Sequence, residues 1–420
     1  MAKEIKQDVV VGLDLGTTKV CTIIGELDDE GQVHIIGVGT TPSTGLKKGS
    51  VVNIEQTIAS IKKSVQDAER MAGVEVASVF AGVAGGHIKG LNSRGVIAVS
   101  RRDKEITEED RERVIEAAQA IAIPLDREII HVIPQEYIVD DQDGIKNPVG
   151  MSGVRLEAEV HVVTGAVTSV QNIVRSVERA GVQVNDIVLQ PLASAEAILS
   201  PDEKELGVLL IDIGGGTTDT AVFINGSLWH TGIITLGGAL VTSDVAVGLR
   251  TPNTEAEGIK IQFGCAYTAM VKEEEEITVP GVGGRPDRRM PRRVLSEIIE
   301  ARMEEIFELV AAELKKHGFE DRIPAGAVIT GGSALMEGTA ELAEKILQLP
   351  VRIGSPKRVG GLTDVVANPM YSTAVGLVLM GLKSHSSTPG TKKSGGASSG
   401  GGGIFQDILG RMKNWFGDSI

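Results

Sequence analysis

Two similar glycine-threonine turns, placed almost half the chain length apart, constrain this fold more than any other feature. The first lies in VVVGLDLGTTKVCTIIGEL and the second in GVLLIDIGGGTTDTAVFING. Each segment is an apolar strand that ends in an aspartate, Asp14 or Asp212, followed by a glycine turn and a second strand. A duplicated hairpin at this separation predicts two similar lobes, each of which offers one loop to a shared cleft.

Both loops carry residue types that bind phosphate. Glycine permits a close backbone approach, and successive N–H groups in such a turn point into one concavity that suits phosphate oxygens. Threonine hydroxyls add donors, Lys19 adds a point charge, and an aspartate at a strand end suits Mg²⁺ held through water. The candidate phosphate-binding residues are Gly16, Thr17, Thr18, Lys19, Gly214, Gly215, Gly216 and Thr217, and the candidate metal residues are Asp14 and Asp212. The alternative is a pair of ordinary hairpins with glycine turns.

Composition excludes several classes of protein. With 420 residues the chain can form two or more domains, and 42% hydrophobic with 23% charged residues is typical of a soluble globular protein. A net charge of −14 argues against general nucleic-acid binding. The two cysteines, Cys21 and Cys265, give no disulfide framework and fit a reducing cytoplasm. The seven histidines are scattered, without a pair at metal-ligand spacing.

Several elements can be predicted from periodicity. Residues 54 to 72 carry apolar residues at helical spacing, and Gly73 closes that helix. Residues ~230 to ~300 have no clear periodicity and predict a long loop before a helix at about 294 to 316. NPMYSTAVGLVLMGL predicts a small-residue helix that packs tightly against a neighbour.

The chain end combines a polar linker with an apolar cluster. Neither an N-terminal signal peptide nor a membrane span of ~20 apolar residues is present, so we expect a cytoplasmic chain. SHSSTPGTKKSGGASSGGGG predicts a flexible linker. On a helix, one face of the last segment gathers Ile404, Phe405, Ile408, Leu409, Met412, Trp415 and Phe416. Such an amphipathic helix suits a membrane interface; the alternatives are a partner's groove or this protein's own body.

The hairpins form part of a wider resemblance. Together with a third glycine turn at Gly331, Gly332 and Ser333 and helices at 190–200 and 370–382, they resemble the actin, Hsp70 and sugar-kinase superfamily, whose two lobes close on ATP and Mg²⁺. HVIPQEY, GIKNPVGMSGVRLEAEVHVVTG, HTGIITLGGALVTSDVA, VGGRPDRR and NPMYSTAVGL resemble the FtsA family of bacterial cell-division proteins, from about Val9 to Lys383.

The resemblance implies a fold and a set of partners. The fold is α/β: an actin-like two-lobed ATPase fold with duplicated lobes, an inserted α+β subdomain, and a C-terminal linker plus amphipathic helix. The Gly331–Ser333 turn would approach adenosine, and Glu257 and Lys260 would line the base and ribose. The family implies a homopolymer on the cytoplasmic face of the inner membrane that tethers the C-terminal tail of the tubulin-like protein FtsZ at the septum and meets other division proteins.

The chain then divides into six parts. We expect a lobe 1 core at 1–84, 163–195 and 363–383, an inserted subdomain at 85–162, a lobe 2 core at 196–229 and 300–362, a lobe 2 insertion at 230–299, a linker at 384–403 and an amphipathic helix at 404–420.

Gln190 is the candidate for orienting a water molecule. It precedes the helix expected to link the lobes, where the superfamily often places Glu or Gln. An amide can orient water but is a poor base, so ATP is expected to bind and turnover to be slow at most. The alternative is that Gln190 only caps the helix that starts at Pro191.

The partner surface rests on charge alone. Arg285, Arg288, Arg289, Arg292 and Arg293 form a basic cluster in an acidic protein. It either receives an acidic partner tail or is a solvated loop that balances Glu273 to Glu276.

Two other functions share this superfamily. A metabolic kinase needs a sugar pocket and a carboxylate base beside the γ-phosphate, and no segment indicates either one. A chaperone of the Hsp70 type needs a substrate domain after the lobes, whereas this chain passes into linker near residue 384. The tail therefore favours the tethering interpretation.

Overall fold

The computed structural model describes residues 9–386 except positions 29, 102, 282 and 284. Within these residues no helix is long and apolar enough to cross a membrane. The strands are β1 Val9–Leu15, β2 Lys19–Leu27, β3 Val33–Pro42, β4 Leu46–Lys47, β5 Ser50–Val51, β6 Ser78–Val83, β7 Lys89–Ala98, β8 Arg127–Val139, β9 Gln142–Ile145, β10 Arg155–Ala166, β11 Gln183–Leu189, β12 Val208–Ile213, β13 Thr218–Ile224, β14 Ser227–Ile234, β15 Glu276–Val279, β16 Arg288–Pro291, β17 Ala327–Thr330, β18 Val351–Ile353 and β19 Gly360–Gly361. The helices are α1 Ile54–Ala72, α2 Glu108–Gln119, α3 Val167–Arg179, α4 Gln190–Ile198, α5 Pro201–Leu206, α6 Gly238–Leu249, α7 Asn253–Phe263, α8 Arg292–His317, α9 Thr339–Leu347, α10 Thr363–Val366 and α11 Ser372–Ser386.

The two largest sheets have the same topology. One has the strand order β11-β6-β1-β2-β3-β19 and the other β14-β13-β12-β17-β18. In each, three consecutive strands pair antiparallel, and the first of them also pairs parallel with a later strand, β6 or β17. A further parallel strand, β11 or β18, completes each unit. This repetition confirms the predicted duplicated lobes.

Helix α1 shows how local sequence fixes an element. The Asn53 side chain accepts a hydrogen bond from the Gln56 amide, and Gly73 ends the helix with a positive φ of 72°. Ile61 and Val65 are among the residues that the helix buries, where it packs on β2 and β3. The bounds are those that the apolar spacing predicts.

Helices α4 and α11 pack against each other between the two large sheets. A Cβ built at Gly376 would lie 1.7 Å from the carbonyl oxygen of Ala193, so only glycine permits this contact. One turn of α11 likewise approaches β1, where a Cβ at Gly12 would lie 2.5 Å from the Ala374 oxygen. The predicted tight packing of the small-residue helix is therefore confirmed.

The end of α11 departs from the predicted linker start. The helix continues to Ser386 and so includes the first residues of the segment that begins at Ser384. The rest of that linker and the predicted amphipathic helix at 404–420 lie outside the described residues.

A four-stranded sheet, in the order β7-β10-β8-β9, is inserted after β6. Helix α2 covers it, and Val114, Leu156, Val160 and Val162 form part of the core between them. The same sheet contacts β14 of the second lobe. The inserted α+β subdomain is thus present as a packed unit.

The segment 230–300 has more regular structure than its missing periodicity predicts, although a stretch without α-helix or strand remains between Phe263 and Glu276. This segment contains α6, α7 and the β15–β16 hairpin before α8 begins. Val247 on α6 is 78% exposed and Ile261 on α7 is 74% exposed. These outward apolar residues interrupt the apolar stripe that identifies a helix in a sequence, which is why the periodicity is missing.

Candidate functional site

The two glycine turns have one backbone geometry. The Gly16 amide donates to the Lys19 carbonyl at 2.9 Å, and the Gly214 amide donates to the Thr217 carbonyl at 2.9 Å. In the strand pairing, Asp14 lies opposite Cys21, and at the equivalent position of the second hairpin Asp212 lies opposite Asp219. The hydrogen bonding therefore aligns the first glycine of each turn.

In this alignment the Gly-Thr-Thr triplets of the two turns are not superposed. Thr17 and Thr18 occupy the places of Gly215 and Gly216, not those of the second threonine pair. A Cβ built at Gly215 would lie 2.3 Å from Thr18 Cγ2, and one at Gly216 would lie 2.4 Å from Thr17 Oγ1. The glycines of one turn thus make room for the threonines of the other.

A cavity of about 750 Å³ lies between the lobes where these turns meet. Its walls come from both hairpins, α6, α7 and the turn after β17. The predicted residues that line it are Asp14, Gly16, Thr17, Thr18, Lys19, Gln190, Asp212, Gly214, Gly215, Gly216, Thr217, Glu257, Lys260, Gly331, Gly332 and Ser333. The structure therefore brings together every residue that the sequence assigned to this site.

Helix α4 supplies a hydrogen bond to each strand-end aspartate. Gln190 Nε2 donates to Asp14 Oδ1 at 3.0 Å. One turn later, Ser194 Oγ donates to Asp212 Oδ2 at 2.7 Å, and Thr373 Oγ1 donates to the same oxygen at 3.3 Å. Because no side chain caps the start of α4, the interpretation of Gln190 as a helix cap is wrong.

Burial raises the pKa of three carboxyls here. It raises the pKa of Asp14 to about 6, with Lys19 acting in the opposite direction and Asp212 in the same direction. Burial also raises the pKa of Asp212, against hydrogen bonds from two hydroxyls. Burial and the Asp212 charge raise the pKa of Asp219 to about 8. Bringing a cation to this group would offset the cost of ionising it.

Asp219 also lines this cavity and is a candidate site residue that the sequence analysis did not select. Its Oδ2 accepts a hydrogen bond from Thr217 Oγ1 at 3.0 Å, but its Oδ1 is buried without a hydrogen-bond partner among the described residues. A buried acceptor without a partner costs about 1–3 kcal/mol. The signal was in the sequence, since Asp219 directly follows the second threonine pair at the start of a strand that ends in an apolar run.

The cationic residues of the cleft are held by neighbours. Lys19 Nζ donates to the Met370 carbonyl and lies 4.5 Å from the Tyr371 ring centre. Lys260 Nζ donates to Thr242 Oγ1 at 2.8 Å and to Glu257 Oε2 at 2.7 Å. Lys260 thereby ties α7 to α6 along one wall.

The predicted arginine cluster does not act as one surface. Arg292 bonds the Phe263 carbonyl, Glu275 and Glu337, and is therefore part of the lobe's own packing. The Arg288 guanidinium donates to a backbone carbonyl of α6. Arg289 is 81% exposed and lies 4.0 Å from Glu276.

The duplicated sheets around an interlobe cleft define a protein of the actin-like ATPase fold. Solved structures agree: the PilM–PilN type IV pilus biogenesis complex has a TM-score of 0.66 at 16% identity, covering 89% of this chain and 98% of that one. MreB5 of Spiroplasma citri bound to ADP has a TM-score of 0.53 at 17% identity, covering 88% and 95%.

Sequence relatives give the family. Models for the cell division protein FtsA and for the SHS2 domain inserted in FtsA match residues 209–376 and 85–164. The FtsA proteins of Pseudomonas aeruginosa (50% identical, 99% of each chain), Escherichia coli K12 (43%, 92% and 93%) and Bacillus subtilis (47%, 88% and 83%) are similar throughout. The chain belongs to the FtsA family of cell-division proteins.

Proposed function

We propose that the interlobe cleft binds ATP with Mg²⁺. The observation that carries this proposal is the meeting of both glycine turns with three buried carboxyls, one of which has an oxygen without a partner. Asp14, Asp212 and Asp219 would hold Mg²⁺ or its water ligands, and the turns would hold the phosphates. MreB5 structures carry ADP and AMPPNP. The bound ion would neutralise phosphate charge.

We infer that turnover is slow at most. Gln190 reaches the cleft beside Asp14, where its amide can orient a water molecule. An amide cannot accept the water's proton as a carboxylate does, so the chain has no strong base at this position. The Gly331–Ser333 turn would face the adenosine, and Glu257 and Lys260 the base and ribose.

We further propose that this cell-division protein polymerises on the cytoplasmic face of the inner membrane. It would tether FtsZ there at the division septum and help to recruit other division proteins. The membership of the FtsA family and the apolar face predicted for 404–420 support this proposal. The subdomain at 85–162 would contribute to head-to-tail contacts.

Vesicle co-sedimentation with Mg-ATP tests the tether. The full chain should sediment with anionic vesicles, and a chain that ends at Lys383 should remain in the supernatant. Trp415→Asp should reduce sedimentation because it places a charge on the apolar face, whereas Asn414→Asp on the polar face should not. Equal sedimentation of the full and shortened chains would overturn the membrane assignment.

We propose that the insertion at 230–299 or its bordering helices receive the FtsZ tail. Of the five arginines, Arg289 is suited to an acidic partner because it is exposed and weakly paired. Arg289→Glu should weaken binding of an FtsZ tail peptide, while Arg70→Glu, at an exposed residue on α1 of the first lobe that lies 3.3 Å from Asp67, serves as the control outside the proposed site. Unchanged affinity in Arg289→Glu would remove this residue from the interface.

A further inference from the structure

Three potential metal ligands meet on the second lobe, away from the nucleotide cleft. His230 lies on β14, and Glu313 and His317 lie on α8. His230 Nε2 is 3.2 Å from Glu313 Oε1, and His317 Nε2 is 3.3 Å from the same oxygen. The three ligand atoms lie within 4.8 Å of one another, and no other group of at least three His, Cys, Asp or Glu within the described residues does so.

Two of these distances are close to those between the ligands of a tetrahedral metal site. Zinc binds imidazole nitrogen and carboxylate oxygen at about 2.0–2.2 Å, which places two ligands of a tetrahedron roughly 3.3–3.6 Å apart. The two contacts to Glu313 Oε1 already lie close to this separation, so a metal ion requires only small side-chain movements. Two histidines and one glutamate also form a ligand set that zinc uses where it keeps an open fourth position.

The fold holds the three ligands together. Glu313 and His317 are four residues apart in α8 and therefore share one helix face. The backbone of β14 comes close to these side chains at Gly232, where a Cβ would lie 2.6 Å from Thr220 Oγ1 and 3.6 Å from both Glu313 Cγ and His230 Nε2. The Phe319 ring lies 5.6 Å from the His230 ring and limits its movement on the other side.

The cluster is partly shielded yet open to solvent on one side. The His230 side chain is 13% exposed, and its Nε2 faces Glu313 Oε1. The side chains of Glu313 and His317 are 34% and 36% exposed, which gives an ion access from solvent. Lys316 Nζ is 3.9 Å from Glu313 Oε2 and leaves Oε1 to the histidines.

We propose that His230, Glu313 and His317 bind one divalent late first-row metal ion, Zn²⁺ in the cell, with water as the fourth ligand. This ion would join α8 to β14 at the place where β14 also bonds the inserted subdomain. Gln135 of the inserted sheet donates to the Trp229 carbonyl at 3.0 Å, and Thr231 Oγ1 lies 2.9 Å from His161 Nε2 of that sheet. The residues on both sides of His230 thus hold the inserted subdomain, and the ion would fix this joint.

Zinc titration of the full chain, in competition with a chromophoric chelator, tests the site. The wild-type protein should bind one equivalent, and Zn²⁺ should raise its melting temperature because the ion binds the folded state. Loss of an outer-shell partner costs about 10–100-fold in metal affinity, so loss of a direct ligand in His317→Ala or Glu313→Gln should cost at least that much. Co²⁺ in place of Zn²⁺ should show tetrahedral visible absorption.

A matched control separates this site from general histidine binding. His34 Nε2 lies 2.9 Å from Asp28 Oδ2 on the first lobe, and no third ligand joins this pair within the part of the chain that the structure describes. His34→Ala should retain wild-type zinc affinity. The proposal is overturned if the wild-type protein binds no Zn²⁺ above the chelator's detection limit, or if folded His317→Ala binds it as tightly as wild type.

Discussion

Each of the two glycine turns closes with the same type of backbone hydrogen bond, but the side chains that follow the first glycine differ in size. The first turn presents Thr17 and Thr18 to the cleft, and the second presents Gly215 and Gly216 at the same places. Their strand-end aspartates differ as well, since one hydrogen bond from Gln190 reaches Asp14 and two hydroxyls reach Asp212. Duplicated backbones can therefore carry complementary surfaces, and the site depends on the differences between the copies.

The largest expected effect comes from adding bulk to the glycine turn. Gly215→Ala places a Cβ against Thr18, and overpacking of this kind costs about 1–3 kcal/mol. We expect the unfolding free energy, measured by denaturant titration, to fall by an amount near the upper end of this range. Mg-ATP binding, measured by calorimetry, should also weaken.

Two variants serve as controls for Gly215→Ala. Gly214→Ala lies in the same turn, but its Cβ would lie 3.4 Å from its nearest neighbour, the Thr217 oxygen, so we expect little change. Thr18→Ala should rescue Gly215→Ala in a double-mutant cycle. Additive effects of the two changes would contradict the proposed contact between turns.

The next largest effect is expected at Asp212, which accepts hydrogen bonds from two hydroxyls. Ser194→Ala removes a 2.7 Å hydrogen bond to buried Asp212, and bonds to charged groups contribute about 1.5–3 kcal/mol. We expect a loss of about 1.5 kcal/mol in unfolding free energy, because Thr373 still donates to the same oxygen. Ser200→Ala, at the cap of α5, gives a control outside the cleft; a smaller loss in Ser194→Ala than in that control would contradict the assignment.

The third effect depends on pH. Burial raises the pKa of Asp219 in the folded state to about 8 from its ordinary value of 3.8, so the folded protein holds a proton that the unfolded chain releases. Stability is therefore greatest below about pH 4 for this group and falls as pH rises towards 8, at no more than about 1.4 kcal/mol per pH unit. Asp219→Asn should flatten this decline in thermal melts.

Magnesium provides the matching test of Asp219. The ion should stabilise the wild-type protein more at pH 8 than at pH 6, because ionised carboxylates bind it better. Asp219→Asn should show a smaller magnesium effect at pH 8. An identical response in both proteins would exclude Asp219 from the metal site.

The smallest effect on stability is expected from removing the hydrogen bond to Asp14. Gln190→Ala removes the 3.0 Å bond to Asp14 and should lower the unfolding free energy by about 1 kcal/mol or less, because Gln190 is only half-buried. ATP turnover should fall more than ATP affinity. Gln183→Ala, an exposed position on β11, is the control, and undiminished turnover in Gln190→Ala would remove this residue from the mechanism.

The sequence was most informative where local signals agree. Asn53 and Gly73 mark the ends of α1, and its apolar residues repeat at helical spacing. The cleft was predictable for a similar reason, because both hairpins carry their own glycines and aspartates. Local chemistry alone was sufficient at these positions.

Long-range packing sets the limit of that prediction. The cluster of His230, Glu313 and His317 could not be found from the spacing of histidines in the sequence, because β14 and α8 meet only in the folded lobe. Likewise, the contact of Thr17 and Thr18 with Gly215 and Gly216 joins two hairpins that lie far apart in the sequence. Such contacts leave no periodic trace in one chain.

Helix α4 lies between the lobes and bonds to one aspartate of each. Gln190 and Ser194 lie one turn apart, so their bonds to Asp14 and Asp212 are separated by about 6 Å along the helix axis. Because one short helix bonds to an aspartate of each lobe, a movement that separates the lobes has to stretch at least one of these two bonds. The two aspartates of the cleft are therefore kept at a fixed spacing by a single rigid element.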